Sequence, residues 1–416
     1  MSVSLITRRA FGNKLTGLRH AIVAKQLRTK FSRASVSAAK ECTGAARDVE
    51  MLAMADVKRI PNDVKNVGKV LLTPSRSITA ITDYAFSGKG KMLRPLLVFL
   101  MAACANGHND YSVINSGNSI PALKFFGRNL RNIVTDAQHA IAVIAEMIHT
   151  ASLIHDDLID KAEMRRKKLA TYRKFGNKGA VLVGNITLLK ASELLAKVGN
   201  AEVVSVLSIV LDDLIRGEFM QLTSNADENY RFHLYLEKTY KKTASLIANS
   251  CKAVRFPPCL EGAEHIPYSL NSLYYLQVTI LSEADGALAE SAYAFGRHLG
   301  MAFQLLDDVL DFVGQEDKLG KPAGGSDLQL GLATGPVLFA AQQFPELEKM
   351  LQQGLRTPEE QKRALELVHE SNGIGQTRML AEFHFQEAQR QLGHFKASDA
   401  RECLLRVAAT TLLRSF

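Results

Sequence analysis

Two stretches of the chain carry three aspartates in the same spacing. One is "LIHDDLID", residues 153–160; the other is "FQLLDDVLDF", residues 303–312, with its first aspartate 151 positions further on. On an α-helix, residues four apart lie about 40° from one another. Asp156 and Asp160 therefore share a face with Asp157 beside them, and Asp307, Asp308 and Asp311 repeat the arrangement. The residues before each cluster are apolar (Leu153, Ile154; Leu305, Leu306), so uncompensated carboxylates there are costly. Magnesium is the natural partner: it prefers hard oxygen ligands and takes one or two carboxylates together with substrate phosphate oxygens. Two facing clusters would hold several Mg²⁺ ions around one diphosphate. The bland alternative is a pair of solvated acidic faces. "LDDLIR", at Asp212 and Asp213, lacks a third aspartate and reads as such a surface.

Basic residues follow both clusters. Arg165 and Arg166 come after the first, and guanidinium forks suit bidentate phosphate contacts. "GKGKMLRP" supplies Lys91 and Arg94, "KKTASL" supplies Lys242 and Thr243, and "LGKPAGGSDL" places Lys321 in a glycine-rich loop. Each alone reads as a solvated charge. Together they offer more cations than one diphosphate needs.

The elements that must position these residues are helical. Residues 137–160, 200–222 and 287–313 have apolar positions at steps of three and four, and "PEEQKRALELVHESNG" has a proline start and a glycine stop. No segment shows sustained strand alternation with hairpin turns. The fold class is all-α, a large bundle. Two segments break the pattern: residues 111–136 mix polar and aromatic types, and residues 255–280 hold three of the 11 prolines and three of the 10 tyrosines. Both read as long surface insertions or as sequence foreign to the fold; residues 255–280 look like translated intron sequence, with a real insertion loop as the competing reading.

Charge and cysteines narrow the class further. The net charge of +9 lies wholly in residues 1–40, which carry nine of the 51 Lys/Arg and no acid; the remaining 42 basic residues match the 42 acidic ones. A neutral body argues against nucleic-acid binding. The basic, Ser- and Ala-rich start reads as a mitochondrial transit segment, with the helical domain running from about residue 50 to 416. The longest apolar run, "LLVFLMAACA", is half of what a membrane-spanning helix needs. Five scattered cysteines without a C-x-x-C pair argue against a disulfide scaffold or structural zinc.

The ordered set G-K-x-x-R-P, D-D-x-x-D-x-x-x-x-R-R, K-T and F-Q-x-x-D-D-x-x-D followed by G-K-P resembles the trans-polyprenyl diphosphate synthases. "EMIHTASLIHDD" and "DLQLGLATGPVLFA" look most like the long-chain decaprenyl and solanesyl members, which make the ubiquinone side chain. The resemblance implies an isoprenoid synthase-type bundle around a central active-site cavity. It implies two to three Mg²⁺ ions held by Asp156, Asp160 and Asp307, with Asp311 a weaker candidate. Arg165, Lys242, Thr243, Gln304 and Lys321 would hold an allylic diphosphate, farnesyl or geranylgeranyl. Lys91, Arg94, His149 and Arg166 match the isopentenyl diphosphate site, with His155 an orienting residue. It also implies a homo-oligomer, or a heterotetramer with a second synthase subunit, in the mitochondrial matrix. Ala151 and Ser152, with Ile148 a turn deeper, would line the tunnel that sets product length.

Three departures stand out. Lys167 replaces the family's glycine after the arginine pair, "KLAT" follows where Pro-Thr is usual, and Gly184-Asn185 replaces Gly-Asp. Two rivals remain at this level: a weakly active or non-catalytic partner subunit, and a terpene cyclase. The Asp-rich second motif argues against the cyclase; the completeness of both motifs argues against the partner subunit, while the changes after Arg166 argue weakly for it.

Overall fold

The structure is a computed structural model that describes residues 44–64, 76–87, 92–108, 133–166, 168–222, 228–254, 268–313, 325–329, 331–355 and 357–413. Lys91, Lys167, Lys321 and the transit reading of 1–40 lie outside these residues. The first elements are α1 (Gly44–Val57), α2 (Arg76–Phe86), α3 (Leu93–His108) and α4 (Asp136–Ile159). A two-residue-per-strand hairpin, β1 (Met164–Arg165) and β2 (Lys168–Leu169), leads into α5 (Thr171–Val198) and α6 (Ala201–Leu222). Then come α7 (Glu228–Thr239), a π-helical turn (Tyr240–Ala244), α8 (Ser245–Ala253) and α9 (Tyr268–Val313). The C-terminal part holds α10 (Ser326–Gln329), α11 (Gly335–Ala341), α12 (Pro345–Gln353), α13 (Pro358–Glu370), α14 (Gly373–Leu392) and α15 (Asp399–Leu413).

Two of these helices carry the aspartate motifs, and their sequences show why they form. α4 has no Gly or Pro inside it and opens on a capping box, in which Thr135 and Gln138 satisfy each other's backbone N–H groups. It is buried along most of its length and packs against α3, α5 and α8. α9 packs against α8 and α14. Gly296 and Gly300, one turn apart, make the α8 contact possible: a Cβ on either would sit 2.7 Å from Cα of Ala248 or 2.6 Å from Cα of Ala244. That close approach brings the turn beginning at Gln304 up to the π-helical segment.

Several sequence expectations change here. Residues 268–280, read as part of a loop-like insertion, form the first turns of α9, so this helix runs 46 residues rather than starting near 287. Asp136, taken as the end of the other irregular segment, is the first residue of α4. A short two-stranded pairing exists after all, with Arg166 at φ 50° following its first strand. α13 starts at its proline behind a Thr357–Glu360 capping box, but it ends at Ser371, and Gly373 opens α14. α4 and α5 are long and apolar enough to cross a membrane by composition; α4 is instead mostly buried inside the bundle.

Candidate active site

The first motif lies at the C-terminal end of α4. Asp156 is half-buried, Asp157 is buried and Asp160 is exposed. Asp157 turns away from the other two and is gripped by Arg165, through Nε at 2.8 Å and through Nη2. A third carboxylate, which the sequence did not single out, joins Asp156: Glu218 of α6 shares a hydrogen bond with it and forms an ion pair with Lys242. Gly217 lets α6 come this close, since a Cβ there would lie 2.7 Å from Lys242 Cγ. Burial, then the Glu218 charge, pushes Asp156 up to about 7, against the pull of Lys242. Burial also raises Asp160, with Lys242 opposing and Glu218 reinforcing.

Lys242 and Thr243 sit in the π-helical turn, where a wider helix spreads adjacent side chains differently from an α-helix. Three successive residues go three ways. Lys241 Nζ reaches Asp213 at 2.7 Å, Lys242 pairs with Glu218 beside the first motif, and Thr243 Oγ1 donates to Gln304 Oε1 of the second at 2.9 Å. Asp213 is thus not ordinary surface: it is buried and also accepts from Ser245 Oγ at 2.5 Å, tying α6 to α8. Its neighbour Asp212 is exposed and paired with Arg216, as expected of a surface residue.

The second motif divides in the same way as the first. Asp307 is exposed, Asp311 is half-buried and Asp308 is buried. Asp308 accepts from Tyr235 Oη at 2.6 Å and from Gln304 Nε2 at 2.9 Å. Asp311 accepts the backbone N–H of Asp327 at 3.1 Å through Oδ2, and that of Gly325 at 3.0 Å through its carbonyl. It thereby anchors the chain that follows the glycine-rich segment.

Arg94 of α3 lies between α4 and the second motif. Its Nη1 donates to His149 Nε2 at 2.9 Å. Burial lowers the arginine's pKa and Arg166 adds to that, while Glu146 of α4 and Asp307 of α9 support its charge. Glu146 is a buried partner that the sequence reading missed. His149 is pushed well below the usual histidine range by burial and then by Arg94, Arg166 and Arg165. A neutral His149 can accept from Arg94, as the geometry requires.

Further along α4, Ser152 is half-buried and donates from Oγ to the His149 carbonyl at 2.9 Å, whereas Ala151 and Ile148 are buried. Gly184 packs on the His155 ring, and Asn185 of α5 is exposed.

The described candidates therefore gather from five elements: Asp156, Asp160 and His149 from α4; Arg165 and Arg166 from the hairpin; Arg94 from α3; Lys242 and Thr243 from the π turn; Gln304, Asp307 and Asp311 from α9. The donor set suits a divalent cation. Burial, reinforced by Glu218, raises the pKa values of Asp156 and Asp160 against the opposing pull of Lys242, so these carboxylates favour a further cation. Among the described residues no group of three or more His, Cys, Asp or Glu can hold an ion by itself.

A helical bundle with two acidic helix ends and cations between them is the architecture of isoprenoid synthases. The sequence matches the polyprenyl synthetase family over residues 75–257 and 269–370, and the chain belongs to that family. It is 42% identical over 363 residues to the human all trans-polyprenyl-diphosphate synthase PDSS1, covering 87% of this chain and 76% of the relative. It is 36% identical over 372 residues to decaprenyl-diphosphate synthase subunit 1 of Schizosaccharomyces pombe, covering 85% and 90%. Among solved structures it resembles a Caulobacter crescentus polyprenyl synthase complexed with calcium and isoprenyl diphosphate. The TM-score is 0.67 at 28% identity, over 90% of this chain and all of that one.

Proposed function

We propose that this chain is a Mg²⁺-dependent trans-polyprenyl diphosphate synthase of the ubiquinone pathway, adding isopentenyl diphosphate repeatedly to an allylic diphosphate. The observation that carries this reading is the π turn, where adjacent residues reach opposite motifs: Lys242 toward Asp156 and Glu218, Thr243 toward Gln304 and Asp308. Such a turn can grip one diphosphate between two carboxylate-bearing helices.

Asp156, Asp160 and Asp307 would hold two to three Mg²⁺ ions, which neutralise the charge that develops on the departing diphosphate. Arg165, Lys242, Thr243 and Gln304, together with Lys321, bind the same diphosphate and stabilise it as it leaves. Arg94, Arg166 and neutral His149, with Lys91, hold isopentenyl diphosphate so that its alkene faces the allylic carbon. Relatives named as mitochondrial include a hexaprenyl synthase of Neurospora crassa and a solanesyl synthase of rice, and the basic residues 1–40 support the same location.

Assembly with a second copy or a second synthase subunit is part of this reading. Val181, Leu182 and Leu189 of α5 and Ile209, Ile215 and Phe219 of α6 are all exposed, an apolar face suited to burial against another chain. One assay tests the whole reading: purified protein, Mg²⁺, labelled isopentenyl diphosphate and an allylic primer, with products sized by chromatography, run alone and with a candidate partner. No elongated product under either condition would refute it, and a cyclised hydrocarbon would point to the cyclase.

A further inference from the structure

The middle aspartate of the second motif has no part in the metal and diphosphate contacts assigned above. Asp308 is buried, which pushes its pKa up, and the groups facing it oppose that shift as hydrogen-bond donors to its carboxylate: Tyr235 Oη at 2.6 Å, Gln304 Nε2 at 2.9 Å and the backbone N–H of Gly335. Lys238 of α7, one turn before Lys242, lies close enough to add its charge. From Gln304 the chain of contacts continues to Thr243, whose hydroxyl donates to Oε1 at 2.9 Å.

The order of this relay, Tyr235–Asp308–Gln304–Thr243, has a chemical consequence. The two ends of a glutamine amide have nearly the same shape, and only their partners decide which faces which. A carboxylate surrounded by donors must meet the nitrogen end. The oxygen end then points at Thr243 and fixes where that hydroxyl sends its proton. The amide's second N–H stays available. Without the carboxylate, the amide can turn over and the hydroxyl can reverse.

We propose that Asp308 is a positioning residue. Backed by Tyr235 and Lys238, it sets the orientation of the Gln304 amide and the Thr243 hydroxyl, and through them the affinity for the allylic diphosphate. This rests on the polyprenyl synthase reading. The competing explanation is a purely structural tie between α7 and α9, which would affect folding but neither substrate selectively.

A kinetic double-mutant cycle on the full chain separates the two, using Asp308→Asn and Gln304→Ala with Mg²⁺, farnesyl diphosphate and isopentenyl diphosphate. Losing a charge-assisted hydrogen bond predicts an allylic KM raised about tenfold in Asp308→Asn. The KM for isopentenyl diphosphate should stay within about twofold, since its contacts do not run through Gln304. The double variant should be no worse than Gln304→Ala alone, because the aspartate acts through the amide. Tyr235→Phe, which removes one hydroxyl, enters the same cycle if Asp308→Asn does not fold; it should show a smaller rise in allylic KM and the same lack of additivity. Additive effects, or equal rises in both KM values, would overturn the proposal while leaving an active wild type intact. An inactive wild type would refute the functional reading and this inference with it.

Discussion

The two D-D-x-x-D motifs are the same word written on two helices, and in both the middle aspartate is the buried one. Their partners differ. Asp157 faces a full positive charge, the Arg165 guanidinium, whereas Asp308 faces a phenol and an amide with a lysine further off. The outer carboxylates differ too. Asp156 and Asp160 crowd against Glu218, while Asp307 reaches toward Arg94 and Asp311 toward the backbone of Asp327. The repeat thus encodes a geometry, two side chains outward and one inward, and the neighbouring helices decide the chemistry. One motif is built to concentrate negative charge, and the other to fix neutral donors.

The largest test removes the outward carboxylates. Asp156→Ala and Asp307→Ala should each lower kcat by about 10²–10³ or more without rescue by substrate, since the charge they manage arises in the transition state. Near-normal kcat in either would remove one motif from the catalytic account. The inward pair should respond less and unequally. Asp157→Asn leaves Arg165 without its carboxylate, and because that arginine is 40% exposed the loss of stability should be about 1–2 kcal/mol, read by urea unfolding. Asp308→Asn should act mainly on the allylic KM. Equal stability losses in the two, with no kinetic difference, would erase the distinction.

A smaller effect reads the first motif by pH. Asp156 has a pKa of about 7 in the folded protein against an ordinary value of 3.8, so the folded state holds that proton more tightly than the unfolded chain. Stability from this group is present at low pH and is lost as pH rises from about 4 through about 7. In chelator, the melting temperature should therefore fall over pH 5 to 7, and Asp156→Asn should flatten that slope in part, since Asp160, Asp308, Glu146 and Glu382 are raised in the same direction. An unchanged slope would mean that neither burial nor Glu218 raises Asp156 in solution.

How much of this was legible beforehand follows from what each signal depends on. The helices of both motifs and the cations were readable because period, caps and charge are local. Glu218, Lys238, Tyr235 and Glu146 were not, because each acquires its role from a partner more than 50 residues away in sequence, or from a π turn that redirects side chains. One signal existed for Glu218: a glycine before it, inside an otherwise unbroken helix, marks a close approach. Residues 268–280 misled for a related reason. Their tyrosines and the prolines just before them look loop-like in composition, yet the backbone joins a helix already fixed by its downstream packing.

The comparison of the two motifs extends to the residues beneath them. Counting back five and four positions from the first aspartate gives Ala151 and Ser152 on α4, and Ala302 and Phe303 on α9. If a prenyl tail grows away from the metals, the α4 side offers a half-buried serine where α9 offers a half-buried phenyl ring. The tail should therefore run along α4, past Ser152 toward Ile148. Ser152→Phe gives this helix the ring that α9 already has. It should shorten the products while keeping the first condensation, because the carboxylates a turn above are untouched. Ala151 is wholly enclosed, so Ala151→Phe should shorten products too but also lower stability by about 1–3 kcal/mol through overpacking. Chromatography of the products and a melting curve for each variant give the answer. Two stable, active variants with unchanged product lengths would remove the α4 face as the tunnel wall, and with it the asymmetry between the helices at this level.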